Sequence, residues 1–65
     1  MINKGDVLLT KKYCWEVISI SGRYINLARY HEIKGTMRGS MSRDLVEFGI
    51  KDGNIIHVNK KDIKN

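Results

Sequence analysis

Hydrophobic and polar positions alternate in short runs through the first half of the chain, which is typical of β-strands. The strongest run is YCWEVISIS, residues 13–21, where aromatic and β-branched side chains are dense. Ser21-Gly22 then predicts a turn, and YINLARY, residues 24–30, predicts a returning strand. Its alternation separates two sets of side chains, Ile25 and Leu27 on one face and Tyr24, Asn26, Ala28 and Tyr30 on the other. We therefore expect an antiparallel hairpin whose tyrosines are exposed if Ile25 and Leu27 point inward.

Three weaker segments predict further strands. Val7 to Thr10 follows a Gly5-Asp6 turn, and Thr36 to Met41 contains Gly39, which we interpret as a bulge or tight bend. Asn54 to Val58 follows Asp52-Gly53, a dipeptide typical of hairpin turns.

A helical segment is predicted before the last strand, over Ser42 to Phe48. Ser42 is the expected N-cap and Gly49 the expected left-handed residue that ends the helix. Ile50 is then expected to fold back onto Leu45. Such a helix has about two turns at most.

Five short strands with one helix or 3-10 turn before the last strand predict a mainly β fold, a small five-stranded SH3-like barrel. An OB-type barrel is the alternative, but its helix normally falls between the third and fourth strands. We expect one domain over residues 1–59, followed by a basic, flexible tail over residues 60–65.

The length and the single cysteine limit how the fold is stabilised. A chain of 65 residues buries only roughly 60% of the surface that it exposes when unfolded. Cys14 has no partner for an intrachain disulfide, and we predict it to be a small buried hydrophobic residue beside Trp15, our first choice for the core. Association into a homo-oligomer would supply further burial.

The expected location is the cytoplasm. One unpaired cysteine suits a reducing compartment, and no run approaches the roughly 18 apolar residues that a membrane span needs. The N-terminal MINKGDVLLTKK also lacks the apolar run and cleavage site of a signal peptide. We therefore expect no contact with a membrane.

The formal net charge of +5 favours a nucleic-acid partner, because phosphates attract clustered Lys and Arg. Composition weakens that inference. The chain is rich in Ile, Lys and Asn, has a single Ala and lacks Pro and Gln, which is typical of AT-rich genomes. Part of the positive charge therefore follows from codon usage.

Residues suited to catalysis are scarce. Cys14, His31 and His57 are the only Cys and His residues, and their spacing matches no metal-binding pattern. Asp44 and Glu47 are explained by helix polarity and solvent exposure. A phosphate-binding glycine loop is also missing. We predict no enzyme activity, no cofactor and no metal.

Aromatic and basic side chains interleave on and around the central hairpin, as in surfaces that stack bases and follow a phosphate backbone. The predicted partner-binding residues are Tyr24, Tyr30, Arg23, Arg29, Arg38, Arg43, Lys60 and Lys61, with Lys64 extending the basic tail. A structural interpretation competes with this one. Cross-strand aromatic residues stabilise sheets, Arg29 suits a rim position that reaches solvent, and a basic tail is commonly just solvated.

Three segments carry a resemblance to a wider group: KGDVLL at the start, the hairpin YCWEVISISGRYINLARY, and the ending MSRDLVEFGIKDGNIIHV. The chain resembles short SH3-like barrel proteins of phages and mobile elements. That resemblance implies an accessory protein that regulates or inhibits a host protein complex through protein contacts. The alternative is a small basic barrel that binds single-stranded DNA or RNA by Tyr and Arg stacking and Lys phosphate contacts.

Overall fold

A computed structural model describes residues 1–63. Its elements are β1 (Val7–Leu9), β2 (Cys14–Ser21), β3 (Tyr24–His31), β4 (Gly35–Ser42), α1 (Arg43–Asp52), β5 (Ile56–Val58) and a 3-10 turn at Lys60–Asp62. The prediction of a mainly β fold with five strands and one helix before the last strand is confirmed. The division into residues 1–59 and a flexible tail stays a prediction, and Lys64 lies outside the described residues.

The five strands form one antiparallel sheet in the order β4-β3-β2-β1-β5. β1 to β4 follow one another as hairpins, and β5 returns to pair with β1 at the far side. In the part of the chain that the structure describes, the sheet does not close, so β4 and β5 are its edge strands. α1 contacts both of these edges.

One face of the sheet, the inner face, carries the core. Buried side chains from three strands, β1, β2 and β3, meet Val46 of α1 there, and Ile2 and Ile55 complete the cluster. The strand residues are Leu8, Val17, Ile25 and Leu27. Because Ile25 and Leu27 point inward, Tyr24 and Tyr30 are exposed on the opposite, outer face, as predicted.

The bulge lies in a different strand from the one predicted. β3 and β4 pair continuously through Gly39, which stands opposite Leu27. The irregularity is in β2, where the register against β3 shifts between Val17 and Ser19. Gly39 instead faces Trp15, whose ring carbon Cη2 would lie 3.6 Å from an added Cβ. That distance is an ordinary van der Waals contact, so Gly39 is a regular strand position beside an aromatic ring and not a bend.

The helix is longer than predicted, and Gly49 does not end it. α1 continues to Asp52, and Gly53 takes the left-handed conformation (φ 88°) and donates its N–H to the Ile50 carbonyl. Asp52-Gly53 is therefore a helix end and not a hairpin turn. Gly49 is buried inside the helix because Ile55 packs directly against it. Ile50 packs against the core instead of folding back onto Leu45.

Two predictions of burial need correction. Cys14 is exposed, because its strand position places it on the outer face beside Leu9 of β1. Trp15 points inward but is only partly buried, and it packs against the core cluster rather than within it.

Replacing Gly49 by Ala is expected to destabilise the fold, although Ala normally favours a helix over Gly by about 1 kcal/mol. An added Cβ would stand 2.5 Å from Ile55 Cδ1 and 2.7 Å from Cγ1. We expect Gly49→Ala to lower the free energy of unfolding in urea by about 1–3 kcal/mol, the usual cost of overpacking. In an Ile55→Val background, which removes Cδ1, the loss should shrink. An equal loss in both backgrounds would contradict this packing explanation.

Candidate interaction site

The structure distributes the predicted partner-binding residues over four places. Arg23, Tyr24 and Arg43 meet at one end of the sheet, and Tyr30 and Arg38 lie on the outer face. Arg29 is on the inner face, and Lys60 and Lys61 follow β5 beyond the other edge. They do not form one continuous surface.

The β2–β3 turn and the start of α1 are joined directly. The Arg43 N–H donates to the Arg23 carbonyl over 2.7 Å, and Tyr24 pairs with Ser42 across the strands. Three predicted residues are thus held together by backbone contacts. Ser42 precedes the helix in an extended conformation, but within the described part of the chain its side chain makes no capping hydrogen bond.

Leu45 and Phe48 extend this region along α1. The helix buries Val46 and Gly49, while Leu45 and Phe48 remain 62% and 64% exposed. Spacing of three residues places both on one side of the helix. Sequence analysis missed them, because an apolar residue in an amphipathic helix is first assigned to the core. We call Arg23, Tyr24, Arg43, Leu45 and Phe48 the turn–helix surface.

Arg29 is held by aromatic rings. Its guanidinium carbon lies 3.9 Å from the Tyr13 ring centroid and 5.4 Å from that of Trp15, and the two rings meet edge to face. The side chain is half-buried, and its buried Nε has no hydrogen-bond partner among residues 1–63. Cation–π contact of this kind stabilises the fold by roughly 0.5–2 kcal/mol. Arg29 is therefore packed in place rather than reaching freely into solvent.

The two exposed tyrosines are far apart on the outer face. Tyr24 and Tyr30 are six positions apart on one strand, a distance of roughly 20 Å. Asn26 lies between them and donates to Ser19 Oγ over 2.9 Å. Arg38 pairs with Ala28, nearer to Tyr30. The tyrosines thus do not form one platform on which adjacent bases stack.

Lys60 is positioned by Asp6, an acidic residue that is only 2% exposed. The Asp6 carboxylate accepts hydrogen bonds of 2.8 Å from the backbone N–H groups of Asn3 and Lys60 and from His57 Nε2. Lys60 and Lys61 line a cavity of about 500 Å³ with Lys4 and other residues of both chain ends. The result is a basic cavity at the β5 edge.

The pKa of the Asp6 carboxyl is lowered from 3.8 to about 2. Burial raises the pKa, but this effect is outweighed by four others. The hydrogen bond from His57, those from the backbone N–H groups of Lys60 and Asn3, and the charge of His57 all lower the pKa. The ionised carboxylate is thus the form that the fold stabilises.

The two histidines have structural contacts. His31 Nδ1 accepts the backbone N–H groups of Ile33 and Lys34 at 3.1 and 3.2 Å, which shapes the β3–β4 turn. His57 is bonded to Asp6. Within residues 1–63, no three Cys, His, Asp or Glu side chains are grouped to hold a metal ion. The described residues also include no helix with the length and apolar character of a membrane span.

Comparisons of the chain with protein-family models, with curated proteins and with solved structures find no match.

Replacing Asp6 by Asn is expected to lower the free energy of unfolding by about 2–3 kcal/mol near pH 7, because buried donors lose a charged acceptor. The pKa of the Asp6 carboxyl is 3.8 in the unfolded chain and about 2 in the folded chain. The stabilisation that the carboxylate gives is therefore complete above about pH 4 and is lost as the pH falls toward 2. Urea unfolding of both proteins across this pH range should show their difference shrinking. Glu47→Gln, an exposed control of equal charge change, should alter stability by less than about 0.5 kcal/mol. A difference independent of pH would contradict the role of the carboxylate.

Proposed function

We propose that this protein is a non-enzymatic binding module that docks onto another protein through the turn–helix surface. The observation that carries the proposal is the exposure of Leu45 and Phe48 on a helix whose inward side is already filled by Val46 and Gly49. Large apolar side chains that contribute little to the core, with arginines nearby, are typical of interaction surfaces.

The composition of the turn–helix surface fits a protein partner. Phe48 and Leu45 can fill an apolar groove, and Tyr24 adds a rigid amphipathic side chain that is 58% exposed. Arg23 and Arg43 carry planar guanidinium groups, which bind carboxylates with two hydrogen bonds. The expected partner therefore offers an apolar groove with carboxylates at its rim.

An SH3-like barrel is the finer fold that we propose. The return of β5 to β1 and the position of α1 before the last strand support it. The resemblance to accessory proteins of phages and mobile elements, carried by KGDVLL and the central hairpin, supports a role in the cytoplasm against a host protein complex. Regulation or inhibition of that complex is the corresponding proposed activity.

Substituting Leu45 or Phe48 by Ser is expected to abolish capture of a protein partner from nuclease-treated host lysate. Loss of an interface anchor costs at least about 2 kcal/mol, which raises Kd roughly 30-fold. Ile33→Ser removes an exposed apolar residue from the β3–β4 turn, away from the turn–helix surface, and is the control. The free energy of unfolding of all three variants should lie within about 0.5 kcal/mol of that of the natural chain.

The proposal is contradicted if the Ser variants retain the partner, or if nuclease treatment alone removes everything that the natural chain captures.

Nucleic-acid binding is the second candidate function, and the basic cavity favours it. Lys4, Lys60 and Lys61 surround this cavity, and the one carboxylate in its lining, Asp6, is engaged by internal hydrogen bonds. Phosphate groups could therefore enter without meeting a free carboxylate of this lining.

Binding of single-stranded oligonucleotides, if it occurs here, should weaken steeply with salt. Each phosphate contact contributes about −0.7 to the slope of log K against log salt, so Lys60→Ala or Lys61→Ala should reduce the slope by about that amount. Fluorescence anisotropy over a salt series measures both quantities. Absence of binding to single- and double-stranded DNA and RNA at low salt would exclude this function.

A further inference from the structure

The outer face of the sheet carries an apolar region with no covering element in the described chain. α1 packs on the inner side, so nothing from the helix reaches this face. Strand register and alternation place seven apolar side chains on it: Val7, Leu9, Cys14, Ala28, Tyr30, Ile56 and Val58. Tyr30 is 75% exposed, and Ile56 is exposed as well.

A depression lies in this region. It has a volume of about 440 Å³, and its walls combine apolar residues with the polar residues Glu16, Arg29 and Thr36. The apolar residues are Val7, Cys14, Ala28 and Tyr30. The outer face is therefore exposed and also concave, so that it can accept side chains of another surface.

Glu16 lines the depression, and the opposite charge of Arg38 lies on the other side of β3. Glu16 of β2 and Arg38 of β4 both pair with Ala28 of β3, so the three residues form one row across the sheet. Both charged side chains are exposed, and within residues 1–63 neither forms an ion pair. A negative and a positive charge therefore stand on either side of a small central residue.

We propose that a second copy of this chain packs on the outer face, related by a two-fold axis that runs along β3. Such an axis exchanges the β2 side with the β4 side. It places Glu16 of each copy opposite Arg38 of the other and brings the two Tyr30 side chains together near the axis. The face is self-complementary, which is what a symmetric dimer interface requires.

The two-fold axis decides which strands meet. Because it runs along β3, the strands β2, β3 and β4 of the two copies lie face to face, about 10 Å apart as in aligned sheets. β1 and β5 lie at the rim of this contact. The apolar side chains at its centre are Cys14, Ala28 and Tyr30. For a small chain, the dimer adds the burial that its core lacks.

The dimer and the proposed partner site share one residue. Leu45 and Phe48, the anchors of the partner site, belong to α1 on the opposite side of the sheet from the depression. Tyr24 lies on the outer face, at the other end of β3 from Tyr30. Variants of Leu45 and Phe48 therefore test the partner site alone, and variants of Glu16 and Arg38 test the dimer alone.

Charge reversal tests the pairing directly, with mass in solution measured by sedimentation or light scattering over a concentration series. The natural chain should approach twice its 7.5 kDa at high concentration. Glu16→Arg or Arg38→Glu alone should weaken the dimer at least tenfold, because like charges then face each other. The double variant should restore it, and an equimolar mixture of the two single variants should form a mixed dimer.

Control variants change the same charges elsewhere. Glu47→Arg and Lys51→Glu on α1 should leave the dimer unchanged. Cys14 gives a second readout without substitution, because its exposed thiol should react more slowly with a thiol reagent as dimer forms. In Glu16→Arg this slowing should be lost.

Three outcomes would overturn the proposal: a monomer at every concentration up to millimolar, single reversals that leave association unchanged, or a mixture of single variants that stays monomeric. A monomer that binds single-stranded DNA and loses it on Arg38→Glu would assign this face to nucleic acid instead.

Discussion

The hydrogen bonds of one buried carboxylate hold the two ends of this chain together. Asp6 accepts from the backbone of Asn3 near the N-terminus, from the backbone of Lys60 and from the His57 side chain. Its own carbonyl also accepts the Val17 N–H, which ties the turn before β1 to β2. β1 and β5 are strands of only three residues each, so their pairing alone fixes little of the edge. The outer edge of the sheet and the basic cavity both depend on Asp6.

A small core has a consequence for the surface. Seven apolar residues form the buried cluster, and they fill the space between the inner face and α1. Apolar side chains outside it, such as Phe48 on α1 and Tyr30 on the outer face, have no place left in the core. We therefore assign them to contacts with other molecules, and the two surfaces differ in what they fit. We propose that the turn–helix surface binds a protein partner and that the outer face binds a second copy of the chain.

Local pattern was enough to predict some features and insufficient for others. Alternation along β3 predicted that Ile25 and Leu27 share one face and the tyrosines the other, and the structure shows that the Ile25 and Leu27 face is the buried one. The prediction that Gly49 ends the helix was wrong, because this glycine is needed for close packing against Ile55. The local sequence gives no information about that contact. Contacts of Asp6 with His57 and Lys60 span 51 and 54 residues, so no local pattern indicates them. The candidate site was predicted in part, because helix spacing alone does not show which apolar residues stay outside the core.

Backbone hydrogen exchange, compared between the isolated chain and the chain bound to its captured protein partner, tests the central claim most directly. The account predicts slower exchange on binding in residues 23–24 and 43–48, with little change in the segment around Lys60. Slower exchange confined to residues 59–62, or no change along α1, would contradict docking through the turn–helix surface.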